Sequence, residues 1–247
     1  AMTAPFFVWY DQTLVWMIAN GIPQANGRAP GVLSGCYPAS TNPIQTGLFT
    51  LIHEGGHGQP ERLAHAGAWW CPGGDVGQSY LLYSDLPANG CTFIEYGDTL
   101  DPMGSPSIND PDWRTHMHFS TYVRSRIGWL EPSNTRVASP GETVTLTRAD
   151  ILTAAVQEIR IPLSTGYFYT LEYRSGVGVF IRIASGSQSY TVWRDNAMLV
   201  NYPTAADIYV YPPKSSITAA NPFWDPYRSI GVRLVSTTTT TATLAIF

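Results

Sequence analysis

Charge is scarce in this chain. Asp, Glu, Lys and Arg together make up 13% of 247 residues, about half the usual share. Of the 14 basic residues only Lys214 is a lysine, and the net charge is −4. With no block of basic residues the chain lacks the electrostatic footprint of a nucleic-acid binder. No apolar run approaches the ~18–20 residues of a membrane-spanning helix. The first residues, Ala1-Met2-Thr3-Ala4-Pro5, carry no basic stretch of a secretory signal and read as a mature or trimmed end. Cysteine is sparse and odd in number: Cys36, Cys71 and Cys91 allow one disulfide and a free thiol, or a partner outside this sequence. What the chain has in quantity is apolar surface, 44% hydrophobic and 13% aromatic residues, enough for one large domain or two ordinary ones with buried cores.

The texture changes once along the chain. Phe6–Tyr10 reads as a short strand, and Leu14–Ile18 is a second apolar run. Asn42-Pro43 is a helix start, with Asn as cap and Pro at the first helical position. Ile44, Leu48, Leu51 and Ile52 then mark one buried helical stripe. From Gly67 to Ser107 the sequence is rich in Gly and Pro and reads as loop. Cys71 and Cys91 could close part of it, for roughly 3 kcal/mol on the chain-entropy model. A second helix is expected around Tyr122, Val123, Ile127 and Leu130, capped by Ser120, stopped at Gly128 and ended by Pro132. Beyond Pro132 the expectation is strands at Thr143–Thr147, Gln157–Leu163, Tyr167–Arg174, Val177–Ile183, Tyr190–Trp193, Ile208–Tyr211 and through Val232–Phe247. These form a small antiparallel sandwich. The run Thr237–Thr241 is read as strand with one polar face.

Chemistry concentrates in the front half, where all five histidines lie between His53 and His118. His53-Glu54-Gly55-Gly56-His57 ends the first helix. Histidines four apart on a helix leave the same face one turn apart and can share one Zn²⁺ at roughly 2.0–2.1 Å. Glu54 then stands where a carboxylate serves as general base toward an attacking water. His65, eight residues after His57, is the best third ligand, with Glu61 the alternative. Three imidazoles and one open position make a catalytic rather than a structural arrangement. Glu95, Asp98 and Asp101 are read as turn and cap residues. Ca²⁺ binding has no motif to support it. His116 and His118 are read as structural, and Trp69-Trp70 as packing.

These residues resemble the metzincin zinc peptidases, and within them the gametolysin-like group. The metzincin signature is His-Glu-x-x-His-x-x-Gly-x-x-His followed by a tight turn containing Met. Here His53-Glu54-x-x-His57 and His65 are followed by Cys91-Thr-Phe-Ile-Glu95-Tyr96-Gly97-Asp98 and Asp101-Pro102-Met103-Gly104. His118 to Leu130, and Tyr169 to Arg182, resemble the later helix and C-terminal β domain of that group. Two departures stand out. His57 and His65 are separated by seven residues where the signature has five, and only 52 residues precede His53.

The resemblance implies an α+β fold. A metzincin-like catalytic domain with a shortened N-terminal part spans residues 1–131, and an all-β sandwich spans 132–247. It implies His53, His57 and His65 as zinc ligands, Glu54 as catalytic base, Met103 as the Met-turn residue and a Cys71–Cys91 disulfide. The expected activity is a secreted zinc endopeptidase cutting a protein or peptide substrate, with a pro-segment removed. The alternatives are a zinc protein without proteolysis, whose β domain binds a protein or glycan partner, and a structural zinc domain.

Overall fold

The computed structural model describes His53, Gly56, Leu63 and residues 65–70, 92–104, 118–163, 166–174, 176–185, 196–200, 216–225 and 228–247. Two compact units divide the chain, Ala1–Leu63 and Ala64–Phe247. In the first, His53 and Gly56 are helical and buried, and the Gly56 carbonyl accepts from the Leu63 amide at 3.3 Å. The strand and the apolar run expected before residue 20, the first turns of the expected zinc helix and the strands expected at Tyr190–Trp193 and Ile208–Tyr211 lie outside the described residues.

The second unit is built from strands. They are β1 (Gly67–Trp70), β2 (Thr92–Ile94), β3 (Thr135–Val137), β4 (Thr143–Thr147), β5 (Glu158–Pro162) and β6 (Tyr167–Arg174). Then come β7 (Gly178–Ser185), β8 (Asn196–Val200), β9 (Phe223–Asp225), β10 (Ile230–Thr237) and β11 (Thr241–Ile246). Seven form one sheet in the order β2-β1-β8-β7-β6-β5-β3, and four form another in the order β4-β11-β10-β9. The larger sheet is mixed: β1 runs parallel to β8 and β3 parallel to β5. It also joins strands from both sides of the texture change at Pro132.

The sheets share one core. Ile159, Ile161, Tyr169, Leu171, Val179, Ile181 and Ile183 from the larger sheet meet Val144, Leu146, Val232, Leu244 and Ile246 from the smaller. Period-two alternation sends these β-branched and aromatic residues to one face. Two tyrosines of β6 make polar ties to the smaller sheet: the Tyr169 hydroxyl donates to the buried Asp225 carboxylate and the Tyr173 hydroxyl to the Thr238 carbonyl, each at 2.7 Å.

Helix is minor among the described residues of this unit: α1 (Thr121–Arg126) and a 3-10 turn at Pro132–Asn134. The α+β expectation is therefore corrected to a β-rich fold. The reason lies at both ends of the helical signal. The Ser120 side chain caps α1 as foreseen, accepting from the Val123 amide. Gly128, at φ 75°, then ends the segment after six residues of regular helix, because that left-handed conformation suits glycine. Meanwhile Gly67–Trp70 and Thr92–Ile94, expected as loop, pair antiparallel with Ala68 opposite Ile94. A second correction concerns the threonine run. Thr237 ends β10 and Thr241 starts β11, and the Thr238 hydroxyl accepts from the Thr240 and Thr241 amides at 3.2 and 2.9 Å. Threonine makes a side-chain-closed turn there rather than continuous strand.

Candidate functional site

On the face of the larger sheet away from the shared core, charged residues of β6 and β7 meet the segment that carries Asp98 and Met103. His65 lies just before β1. Its neighbour Ala66 is a backbone junction. The Ala66 amide donates to the Met103 carbonyl at 2.8 Å, and its carbonyl accepts from the Asp98 amide at 3.2 Å. The turn containing Met103 is thus tied at both ends to the residue beside His65.

Local chemistry shapes that turn. Asp98 accepts from the Leu100 amide at 3.0 Å, and Asp101 from the Met103 amide at 2.9 Å. Short aspartates close turns in this way. The second Asp101 oxygen accepts from the Ser120 amide at 2.8 Å, joining the turn to the start of α1. Gly104 is required by close approach, since a Cβ there would collide with the Asp98 carbonyl. Met103 is fully buried.

Beneath the turn lies a buried ionic network. On β6, Tyr169, Leu171 and Tyr173 face the shared core, so alternation turns Thr170, Glu172 and Arg174 to the other face. Glu172 is fully buried and both Arg174 and Arg182 are 1% exposed. Arg182 Nε donates to Asp98 at 2.5 Å and its Nη1 to Glu172 at 2.9 Å. Arg174 Nε donates to Glu172 at 2.7 Å, and its other nitrogens donate to the Leu100 and His118 carbonyls. The second Glu172 oxygen accepts from the Thr121 amide at 2.8 Å, satisfying an otherwise unpaired donor at the start of α1.

The network sets its own protonation. Burial pushes the Glu172 carboxyl up, but the charges of Arg174 and Arg182 outweigh it and hold the group below the usual carboxylate range. Burial disfavours the Arg182 charge, yet Asp98 and Glu172 raise its pKa above the ordinary value. Asp101 is raised, first by burial and then by the Asp98 charge. His118 is pushed down to about 3 by burial, with Arg174 adding to the effect. Its Nδ1 pairs with the Phe119 carbonyl at 2.9 Å, while Nε2 is buried and has no hydrogen-bond partner among the described residues.

His65 has a more open setting. Its Nδ1 lies 2.7 Å from Glu95 Oε1, and its Nε2 lies 3.1 Å from the Tyr96 hydroxyl. The Tyr96 ring packs against the imidazole at 4.2 Å. Glu95, read as a turn residue, also holds a histidine. Trp69 is buried against Phe93, with ring centroids 5.3 Å apart.

The residues expected at the site divide as follows. His65 and Met103 come together through Ala66, and His53 is helical in the other unit. Glu54, His57, Glu61, Cys36, Cys71, Cys91 and His116 lie outside the described residues. Among the described residues, no group of three or more His, Cys, Asp or Glu side chains is placed to hold a metal ion. None of their helices is long and apolar enough to cross a membrane. Sequence reasoning passed over Glu172, Arg174 and Arg182 as a network. Their signal was charge on strands otherwise rich in Tyr, Leu, Phe and Ile. In comparisons with known proteins, no family model, no curated protein and no solved structure matches the chain.

Proposed function

We propose that the protein is a zinc-dependent endopeptidase with a gametolysin-like ligand signature. In this reading His53, His57 and His65 are the ligands, Glu54 is the general base and the protein acts outside the cell. The observation that carries the reading is the junction at Ala66, where His65 adjoins the Met103 turn that the signature places after the ligands. The surroundings of His65 fit a metal ligand, because one ring nitrogen meets a carboxylate, the usual outer partner of a ligating imidazole. Zinc, when bound, polarises a scissile carbonyl and acidifies water. Glu54 takes the proton of the attacking water and delivers it to the leaving amine. The buried Asp98–Arg182–Glu172 network ties the segment leading into the Met103 turn to the sheet.

Metal analysis of the purified protein and cleavage of a peptide library test the proposal together. The expected outcome is one zinc per chain and cleavage that stops on chelation. Glu54→Ala should lose about a hundredfold or more in rate while keeping zinc. Zinc retained with no cleavage of any peptide would sink the endopeptidase.

One observation favours a second reading, a non-proteolytic zinc protein whose β half binds a glycan or protein partner. Trp224 and Phe247 are 42% and 46% exposed and stack at 5.9 Å with 10° between planes. Arg233 lies 5.9 Å from the centre of the Phe247 ring. Exposed aromatics beside a guanidinium suit ring stacking with a partner.

A further inference from the structure

We propose that Glu95 is a positioning residue that holds His65 in the tautomer with the proton on Nδ1, so that Nε2 carries the lone pair offered to a metal. The inference rests on the zinc reading above. Its basis is the pair of contacts on the two sides of one ring. A carboxylate oxygen can only accept, so at 2.7 Å the Glu95–Nδ1 contact requires the proton on Nδ1. In the neutral ring Nε2 is then an acceptor, and the Tyr96 hydroxyl at 3.1 Å donates to it, a contact that a metal would displace.

The backbone fixes this arrangement. Glu95 and Tyr96 follow β2 in a turn closed by the Gly97 amide on the Ile94 carbonyl at 3.0 Å. His65 precedes β1, and β1 pairs with β2 in a defined register. Pairing of the two strands therefore brings carboxylate, imidazole and phenol together. A Cβ on Gly97 would press on Ala68 of the neighbouring strand, so glycine permits this close approach. The Tyr96 ring covers one side of the imidazole at 4.2 Å, limiting its rotation. A fixed tautomer removes the reorganisation that metal binding would otherwise require.

Glu95→Ala, Glu95→Gln and Tyr96→Phe separate the roles. The side chains of His65 and Glu95 are 16% and 41% exposed, so the fold tolerates truncation at Glu95. The first readout is the tautomer of His65 in metal-free protein, from long-range nitrogen–proton NMR correlations at a pH where the ring is neutral. The second is zinc affinity by competition with a chromophoric chelator. Wild type should show the proton on Nδ1. Glu95→Ala should shift the proton toward Nε2 and weaken zinc binding about tenfold to a hundredfold. Glu95→Gln, whose carbonyl still accepts, should restore the tautomer. Tyr96→Phe should keep it. An Nε2–H tautomer in wild type, or unchanged tautomer and affinity in Glu95→Ala, would overturn the assignment. If wild type shows the expected tautomer but binds no zinc, the zinc reading fails and the ligand role falls with it.

Discussion

Arg182 is a buried charge whose removal should be costly. It is buried between two carboxylates, Asp98 and Glu172, which have no route to solvent at that position. Substituting Met keeps much of the volume and deletes the charge, leaving Asp98 without its guanidinium in a low-dielectric setting while Glu172 keeps Arg174. Breaking a buried pair from one side costs about 3–5 kcal/mol, so Arg182→Met should show a matching loss in urea denaturation. Asp98→Asn in the same background should cost far less than it does alone, because its partner is already gone. A double-mutant cycle measures this coupling, and additive effects would show that the two groups do not act as a unit.

At the scale of elements, the turn that carries Met103 depends on one glycine. Gly104→Ala would force apart the turn and the Asp98 carbonyl, straining the Ala66–Met103 junction. The cost should be about 1–3 kcal/mol, with faster amide exchange at Ala66 and Asp98. If exchange there is unchanged, the junction does not depend on Gly104. Elements with a local signature were legible in sequence. Thr143–Thr147 and Tyr167–Arg174 coincide with β4 and β6, since β-branched and aromatic residues alternate there between turn residues. Ser120 and Gly128 marked the two ends of the α1 region for similar reasons. β1 was not legible. Its four residues, Gly67-Ala-Trp-Trp70, sit beside Gly- and Pro-rich sequence, and one of its partners is β8, beyond residue 195. Such distant pairing leaves no mark within a short window. The hydroxyl-closed turn at Thr238 was missed because threonine favours strands and such turns alike. At the site, the motif singled out Met103 and His65. Their connection through Ala66, and the Glu95 contact, are set by the pairing of β1 with β2.

At the scale of the whole molecule, the network makes stability depend on pH. The folded state holds His118 neutral down to about 3, whereas its ordinary value is 6.5. As pH falls below 6.5 the unfolded chain takes a proton that the folded chain refuses, so stability declines toward pH 3. Glu172 acts in the same sense. Its depressed pKa contributes stability above its ordinary value of 4.5, and this is lost as pH falls through the lower folded value. Asp101, raised, opposes them over its own range. His118→Gln removes one titrating group from the set formed with Arg174, Glu172 and Arg124. Its urea midpoint should fall less than that of wild type between about pH 7 and about pH 4. Equal falls would show that His118 contributes nothing to the acid response.

The two-sided burial of β6 has a consequence for how the chain selects its pairing partners. Tyr169, Leu171 and Tyr173 alternate with Thr170, Glu172 and Arg174, and both sets are buried. A slip of one residue against β5 or β7 would swing the carboxylate and guanidinium into the apolar layer between the sheets and strand the aromatic side chains among Asp98 and Arg182. A wrong register is therefore penalised on both faces at once. The buried charges thus work as a spelling check on strand alignment, and an apolar replacement of the whole network would leave more than one alignment open to the folding chain.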